Sequence, residues 1–485
     1  MKTAERPKNV LETPCKTSES SSQHFVILGG GIAGLTTAYE LLKRGHSVVV
    51  IEKGSEVGGL ARTFERDGFR FDIGGHRFHS NNPLVVQWLQ NLLKTDLLVV
   101  PRISHIYLND QFVDYPIQLP KALSIFSPLK AAEMAISYLV AKFTERRRLD
   151  ISFEDWVIRR YGKALYEVFF KPYTEKVWGI PCDQLSATWA SQRIGIPSFW
   201  RMLKQAIAPS KDTPATAISE FYYPRLGFGM ICETLQQEIL AMGGVIHTST
   251  SLVSCHPVAN TVEIKVQHTD QIRQTIVADQ VISTIPLNYL LESIPSDLGS
   301  QEIQKQYDLE YRDIICLFIA LKKKQVSQDS WTYFPLKQFT FGRTHEPKNW
   351  SQEMVPGDEY TSLAVEIFSS RGEPIWKLSD QAILDLVVDQ MSQIGLIHKA
   401  EVHNSWVVRV PYAYPVYRIG YQEKLKQVKD YLSQWPNVHL VGRTGSFHYM
   451  NSDGVIEDVF RLIDELFPQD TPDVKPLAEA LGRWM

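Results

Sequence analysis

A chain of 485 residues is longer than one hydrophobic core ordinarily serves, so two or more domains are expected. Its 44% hydrophobic and 22% charged residues describe an ordinary globular protein, and 51 basic against 54 acidic residues leave a net charge of -3, which excludes a sequence-wide attraction for nucleic acid. Any anionic ligand must be met by local arginines. The five cysteines, Cys15, Cys182, Cys232, Cys255 and Cys316, are widely spaced and form no C-x-x-C pair, which points to a reducing compartment and a cytoplasmic location. Residues 1–23 are rich in Ser, Thr, Lys and Glu and lack an apolar centre, so they are expected to be a disordered tail and not a secretory signal. No uncharged apolar run reaches the ~18 residues of a membrane-spanning helix.

From Phe25 a short apolar run ends in glycines, a helical pattern follows through Leu35, Ala38, Leu41 and Leu42, and a second apolar run spans Val48 to Ile51. This predicts a β-α-β unit with Gly29-x-Gly31-x-x-Gly34 at its first turn. Glycines there permit the tight turn, the approach of backbone amides to a pyrophosphate, and close helix–strand packing. Glu52, after the second strand, is placed to accept hydrogen bonds from an adenosine ribose. Farther on, Leu129, Ala132, Ile136, Leu139, Val140 and Phe143 fit one helical face, and Glu145-Arg146-Arg147-Arg148 closes that helix as a solvated C-terminus. Helical patterns run from Phe153 to about Phe170. After Gly243 short alternating segments predict an antiparallel meander, "ADQVISTIP" returns as a buried strand, and "NVHLVGRTGSFHYMNSDGVIEDVFRLIDEL" reads as strand, glycine turn and amphipathic helix.

Gly58-Gly59 follows Glu52, with Arg62 three residues beyond. A glycine pair on that loop lets the chain pass beside the same pyrophosphate, a feature that a nicotinamide domain does not need. The pattern resembles the N-terminal signature of the flavoprotein superfamily that includes amine oxidases, protoporphyrinogen oxidase, phytoene desaturases and UDP-galactopyranose mutase. That resemblance implies an α/β fold in which a Rossmann-type FAD-binding domain (24–100, 221–290 and 406–470) is interleaved with a helical and antiparallel-sheet substrate domain (101–220 and 291–405), with a C-terminal tail at 471–485. It implies FAD contacts from Gly29, Gly31, Ile32, Ala33, Gly34, Glu52, Lys53, Gly59, Leu60, Ala61, Arg62, Gly75, His76, Gly442, Arg443, Asn451, Ser452 and Asp453. No cysteine lies in the C-terminal segment, so FAD is expected to be non-covalent.

Several further stretches resemble the UDP-galactopyranose mutase family in order. "FDIGGHRFHSNN" is similar to its flavin-facing loop and brings His76; "YTEKVWG" is similar to its nucleotide-sugar site and brings Tyr173 and Trp178 as uridine contacts. "QRI" and "LEYRDI" bring Arg193 and Arg312 to the places of two arginines that clamp a diphosphate, and "VPYAYPVYR" brings Tyr414. The resemblance implies His76, Arg193 and Arg312 as catalytic residues. It also implies a ring-contracting isomerisation of a nucleotide sugar through N5 of reduced flavin, with NAD(P)H as one candidate external reductant. Two departures matter. Phe341 in "QFTFGRTHEPKNW" replaces a tyrosine that would contact the diphosphate, although Arg343 and Glu346 remain, and "YYPRLGFGM" looks more like the oxidase and desaturase branch. An FAD-dependent oxidoreductase and a non-catalytic flavin-binding protein are therefore carried as alternatives. His76 and His79 are spaced H-x-x-H, but without a nearby cysteine or carboxylate cluster no metal site is expected.

Overall fold

Phe25, Val26, Ile27 and Leu28 are all fully buried, so the strand His24–Leu28 has no solvent face and must lie in the middle of a sheet covered on both sides. The computed structural model describes residues 22–115, 125–144, 149–193, 219–306 and 309–468. Nearly all of the expected N-terminal tail, all of the C-terminal one, and the basic run at 145–148 lie outside these residues. His24–Leu28 is the central strand of a five-stranded sheet, ordered Val438–Leu440, Gln280–Ser283, His24–Leu28, Ser47–Ile51, Val245–His247, with every pairing parallel. Three distant stretches of chain thus build one sheet. Phe25 and Ile27 point into a core shared with the helices Ile32–Lys43, Met230–Ala241 and Ser452–Leu466, whereas Val26 and Leu28 point into a second core containing Cys255, Ile264 and Val428. The predicted meander is present as the antiparallel sheet Thr250–Val258, Thr261–His268, Arg273–Ala278.

The second large sheet has seven strands, in the order Val402–Pro415, Tyr311–Leu321, Thr361–Ser369, Arg343–His345, Trp331–Tyr333, Ser104–Leu108, Gln111–Asp114. Ser104–Leu108 runs parallel to Trp331–Tyr333, which stitches the early segment onto the later one. Helix Asp380–Gln393 covers one face through Ile383, Val387 and Met391, and Phe69 and Phe71 pack on the other with Phe318. The domain boundary expected at residue 406 falls inside the strand Val402–Pro415, so residues 406–415 belong to this sheet. The strand pairs along almost its whole length with Tyr311–Leu321, across the boundary that the resemblance implies.

The predicted helix near residue 129 is present as Pro128–Thr144, but its apolar stripe faces outward: Leu129 is 83% and Phe143 76% exposed. Met134 makes the inward contact, against Ala164 and Leu165, and Ala141 is also buried. Periodicity identifies a stripe but not which side is covered.

One buried carboxylate ties the sheets together. Asp72 ends the strand Phe69–Asp72 and accepts hydrogen bonds from the Tyr223 hydroxyl (2.7 Å), the Thr63 hydroxyl (2.7 Å) and the Phe228 amide (2.9 Å). Burial nevertheless pushes its pKa up to about 6, with those three donors opposing the shift. The folded state therefore holds this proton more tightly than the unfolded chain does. Stability from the group is fully present below about pH 4 and is lost as pH rises through about 6. Chemical denaturation of wild type and Asp72→Asn across pH 3.5–7 is expected to show the wild-type stability, relative to the variant, falling by roughly 3 kcal/mol over that window and then levelling off. A difference that rises with pH would mean that the donors outweigh burial.

Candidate functional site

The first part of the site is a glycine cradle. Gly29 has φ 104° and donates its amide to Ile51 (2.8 Å), and a Cβ on Gly34 would lie 1.9 Å from the Gly29 carbonyl, so the helix can approach the strand only with glycine there. A Cβ on Gly31, by contrast, would meet only the Gly58 carbonyl, at 3.9 Å, so open space lies in front of that residue. Gly58 and Gly59 have φ 112° and 55°, and the Gly58 amide donates to Gly30 (2.7 Å). Helix Ile32–Lys43 begins here with no side-chain cap, which leaves the first-turn amides of Ile32, Ala33 and Gly34 directed at this space. Glu52 accepts the Gly30 amide on one carboxylate oxygen (2.7 Å) and the Gly54 amide on the other (2.6 Å), so each oxygen keeps a free lone pair. Arg62 follows the turn Gly59–Ala61, which contains Leu60, and its buried Nε has no partner. The uncapped helix and this orphaned cationic donor fit the pyrophosphate of a dinucleotide. Lys53 lies apart, with its ammonium 5.4 Å from the centre of the Tyr289 ring.

The C-terminal segment closes on the same helix. Gly442 has φ 82°, and a Cβ there would come within 2.6 Å of Ala33 Cβ. Arg443 donates to the carbonyls of Ala413 (3.1 Å) and Met450 (3.1 Å), and its guanidinium lies over the rings of Tyr449 (4.2 Å) and Tyr414 (4.7 Å). Asn451 precedes helix Ser452–Leu466, again with no side-chain cap, and Asp453 occupies its first turn.

The loop after Asp72 joins this cradle to the seven-stranded sheet. The Gly75 amide donates to Glu366 Oε1 (2.9 Å), and Glu366 is ion-paired with Arg343, whose Nε lies 2.8 Å from the same oxygen. Burial works against the Arg343 charge, but Glu366, with Tyr414 and Tyr173, holds its pKa well above the usual range. His76 stacks on Phe228 (5.2 Å) and places Nδ1 3.1 Å from the Gly74 carbonyl. A carbonyl only accepts, so Nδ1 carries the proton and Nε2 keeps its lone pair. Burial, then the charge of Arg443, lowers the His76 pKa to about 4, so the ring is neutral at physiological pH.

Tyr173 and Trp178 come from helix Lys171–Trp178. Burial raises the Tyr173 pKa well above its ordinary value, with the Arg343 charge opposing and Tyr333, Glu366 and Tyr414 adding to the rise; burial likewise raises that of Tyr414. Both phenols are therefore protonated. Trp178 lies edge-on to Tyr414 (6.3 Å) and Tyr449 (6.1 Å), and its buried Nε1 has no acceptor.

The structure thus brings His76, Tyr173, Trp178, Arg343, Tyr414 and Arg443 together. Two other expected residues are placed differently, and the side chain of a third is not among those described. Arg312 is buried, with its donors taken by the Val177 carbonyl (3.2 Å), the Ser370 hydroxyl (2.7 Å), the Phe368 carbonyl (3.1 Å) and Glu373. Phe341 is fully buried against Phe334 and Phe339, beneath the seven-stranded sheet. Arg193 ends helix Ala187–Arg193, and its side chain lies outside the described residues. Glu346 is also internal, accepting the amides of Val326 (3.1 Å) and Ser327 (2.9 Å) and the Thr361 hydroxyl. Sequence reasoning missed Glu366, Tyr333 and Tyr449. Glu366 had a signal: it is the single charged residue in the apolar run "TSLAVEIFS". Among the described residues no group of His, Cys, Asp or Glu could hold a metal ion, and no helix is long and apolar enough to cross a membrane.

Comparison with known proteins agrees with this architecture. Residues 32–458 match the model of the family described as flavin containing amine oxidoreductase. A probable UDP-galactopyranose mutase of Klebsiella pneumoniae is 27% identical over 173 residues, which are 35% of this chain and 44% of that protein. A coproporphyrinogen III oxidase of Staphylococcus aureus is 20% identical over 455 residues, covering 87% of this chain and 94% of that one. The crystal structure of a reduced UDP-galactopyranose mutase superposes with a TM-score of 0.81 at 21% identity, covering 94% of this chain and 97% of the other, which establishes a shared mixed α/β fold. With its uncapped helix turned to a glycine cradle and its parallel sheet assembled from three stretches of sequence, the chain belongs to the flavin containing amine oxidoreductase family and is an enzyme.

Proposed function

We propose that the enzyme binds FAD without a covalent link and acts on a nucleotide sugar by ring-contracting isomerisation. The observation that carries this reading is the convergence of Tyr173, Trp178, Tyr414 and Arg343 around the Gly74–Phe78 loop, because those residues also resemble the mutase pattern. Glu52 would use its two remaining lone pairs for ribose hydroxyls, and the amides at the start of helix Ile32–Lys43, with Arg62, would hold the pyrophosphate. The uncapped start of helix Ser452–Leu466 and Arg443 would lie toward the flavin end. Bound FAD supplies a ring system able to act as nucleophile or electron carrier, with NAD(P)H as one candidate reductant.

The protein groups then bind and orient. Tyr414, which is only partly buried, offers flat apolar area for a uracil or sugar, and Trp178, 2% exposed, packs edge-on against it as its support. Neutral His76 offers Nε2 as a proton acceptor, whereas Tyr173 and Tyr414 remain proton donors. Arg343 keeps its charge through Glu366 and adds a fixed cation beside these phenols. The buried free cysteines Cys182, Cys232, Cys255 and Cys316 support a cytoplasmic location.

One observation favours a second reading, oxidation of the coproporphyrinogen or amine type. Arg312 is saturated by protein acceptors and Phe341 faces a core, so two of the expected diphosphate contacts are not presented.

Four measurements test this. Gly31→Leu is expected to abolish flavin retention, read as absorbance after gel filtration, while circular dichroism stays native; full retention would refute the cradle. Acid precipitation of wild type should release the flavin into the supernatant, and flavin left in the pellet would refute the non-covalent link. Anaerobic incubation of chemically reduced enzyme with UDP-galactopyranose should yield the furanose isomer with no net consumption of reductant. Porphyrin fluorescence and oxygen uptake with coproporphyrinogen III, without sugar isomerisation, would replace the mutase reading with the oxidase one.

A further inference from the structure

At the His76 loop lie Arg77 and, within reach of its charge, Arg102, two arginines that no carboxylate answers among the described residues. Arg77 follows His76 on the loop, and its guanidinium lies 5.4 Å from the centre of the Trp331 ring; that of Arg102 lies 5.5 Å from the centre of the Tyr115 ring. Arg77 Nη1 and Arg102 Nε are buried and have no hydrogen-bond partner. Among the described residues neither guanidinium makes an ion pair, whereas Arg343 has Glu366, Arg312 has Glu373, Arg160 has Asp150 and Arg418 has Glu310. The acids on the adjoining strands are taken: Asp329 and Asp114 flank His105, at 2.7 and 3.3 Å. Burial, then the like charges of Arg102 and, more weakly, Arg343, depress the Arg77 pKa. A buried cation facing other cations with no acceptor is unfavourable by itself, and the missing groups are all acceptors.

The place is continuous with the candidate site. Tyr115 and Tyr333 are 4.9 Å apart between ring centroids, and Tyr333 and Tyr173 are 5.9 Å apart, so a row of tyrosines leads from Arg102 to the helix that carries Tyr173 and Trp178.

We propose that Arg77 and Arg102 form an oxyanion subsite that binds a phosphate or carboxylate group of the substrate at the end of the site remote from Trp178. This rests on the reading that the substrate sits beside His76, but it does not depend on which substrate it is. The oxyanion could come from a nucleotide diphosphate or from a carboxylate-bearing porphyrinogen. Guanidinium forks donate bidentately to the oxygens of either.

The test uses flavin-loaded wild type, Arg77→Gln, Arg102→Gln and Arg77→Lys. Each is titrated, with the flavin spectrum as readout, with UDP and with coproporphyrin III, and with uridine and a porphyrin methyl ester as anion-free controls. The anion that wild type binds should be weakened roughly tenfold to hundredfold in either Gln variant, as expected for loss of a charge-assisted contact, and partly restored in Arg77→Lys. The anion-free control should be unaffected, and flavin content unchanged. Ligand-free Arg77→Gln should melt no lower than wild type, because it removes an unanswered buried charge; a structural role would lower the melting temperature. Binding of coproporphyrin but not UDP, weakened by the variants, would sink the mutase reading and leave the subsite standing. Turnover of a UDP-sugar unchanged in both Gln variants would overturn the subsite and leave the mutase reading standing. Wild type that binds neither anion at millimolar concentration would also overturn the subsite.

Discussion

The arrangement depends most on the buried carboxylate of Glu366. It lies in a strand with every residue buried, where an isolated charge would be strongly disfavoured, and it is tolerated because Arg343 and the Gly75 amide both donate to it. Those two partners belong to different parts of the fold. Gly75 belongs to the loop leaving the Asp72 strand, and Arg343 to the strand beside Glu366 in the large sheet. The ion pair therefore holds the His76 loop against the seven-stranded sheet and sets the charge beside Tyr173 and Tyr414. Removing one member would leave the other as an uncompensated buried charge, so the two act as a unit.

Cations elsewhere near the site organise backbone. Lys176 Nζ lies within hydrogen-bond distance of the carbonyls of Leu336 (2.6 Å), Phe334 (2.7 Å), Phe339 (2.9 Å) and Phe341 (3.1 Å), and burial lowers its pKa to about 7. Arg312 passes under the end of the same helix, where Gly179, at φ +67°, leaves room that a Cβ would fill at 2.6 Å from the guanidinium carbon. Helix Lys171–Trp178 is thus fastened by two buried cations to two stretches of the large sheet, and its aromatic residues are presented from a fixed support. Fixed aromatic and charged groups need little reorganisation when a ligand arrives.

Much of the cofactor half was legible in the sequence. Glycines at a strand–helix turn have few physical explanations, and the apolar run at Phe25 with the acid at Glu52 narrows them further. The C-terminal strand, turn and helix were legible for the same reason, since exposed helix N-termini and glycine turns are local features. The region around Tyr173 and Arg343 was legible only as residue types. Tyr173, Trp178, Arg343 and Tyr414 converge, but Arg312 and Phe341 carry side chains suited to a ligand and spend them on Glu373, on backbone carbonyls and on a phenylalanine cluster.

By itself the sequence determined the elements whose geometry follows from neighbours along the chain: the β-α-β unit, the glycine cradle, the meander and the terminal amphipathic helix. Tertiary structure alone decided which partners the buried charges find, because a carboxylate or guanidinium in an apolar strand states a need without naming the residue that meets it. Glu366 is answered by Arg343, 23 positions away, and by the Gly75 amide, 291 positions away, and Arg312 by Glu373, 61 positions away. The same applies to the helix Pro128–Thr144, whose stripe was visible in the chain but whose covered side depended on what packed against it. Local spacing encodes shape; long-range packing decides where each charge and apolar face comes to rest.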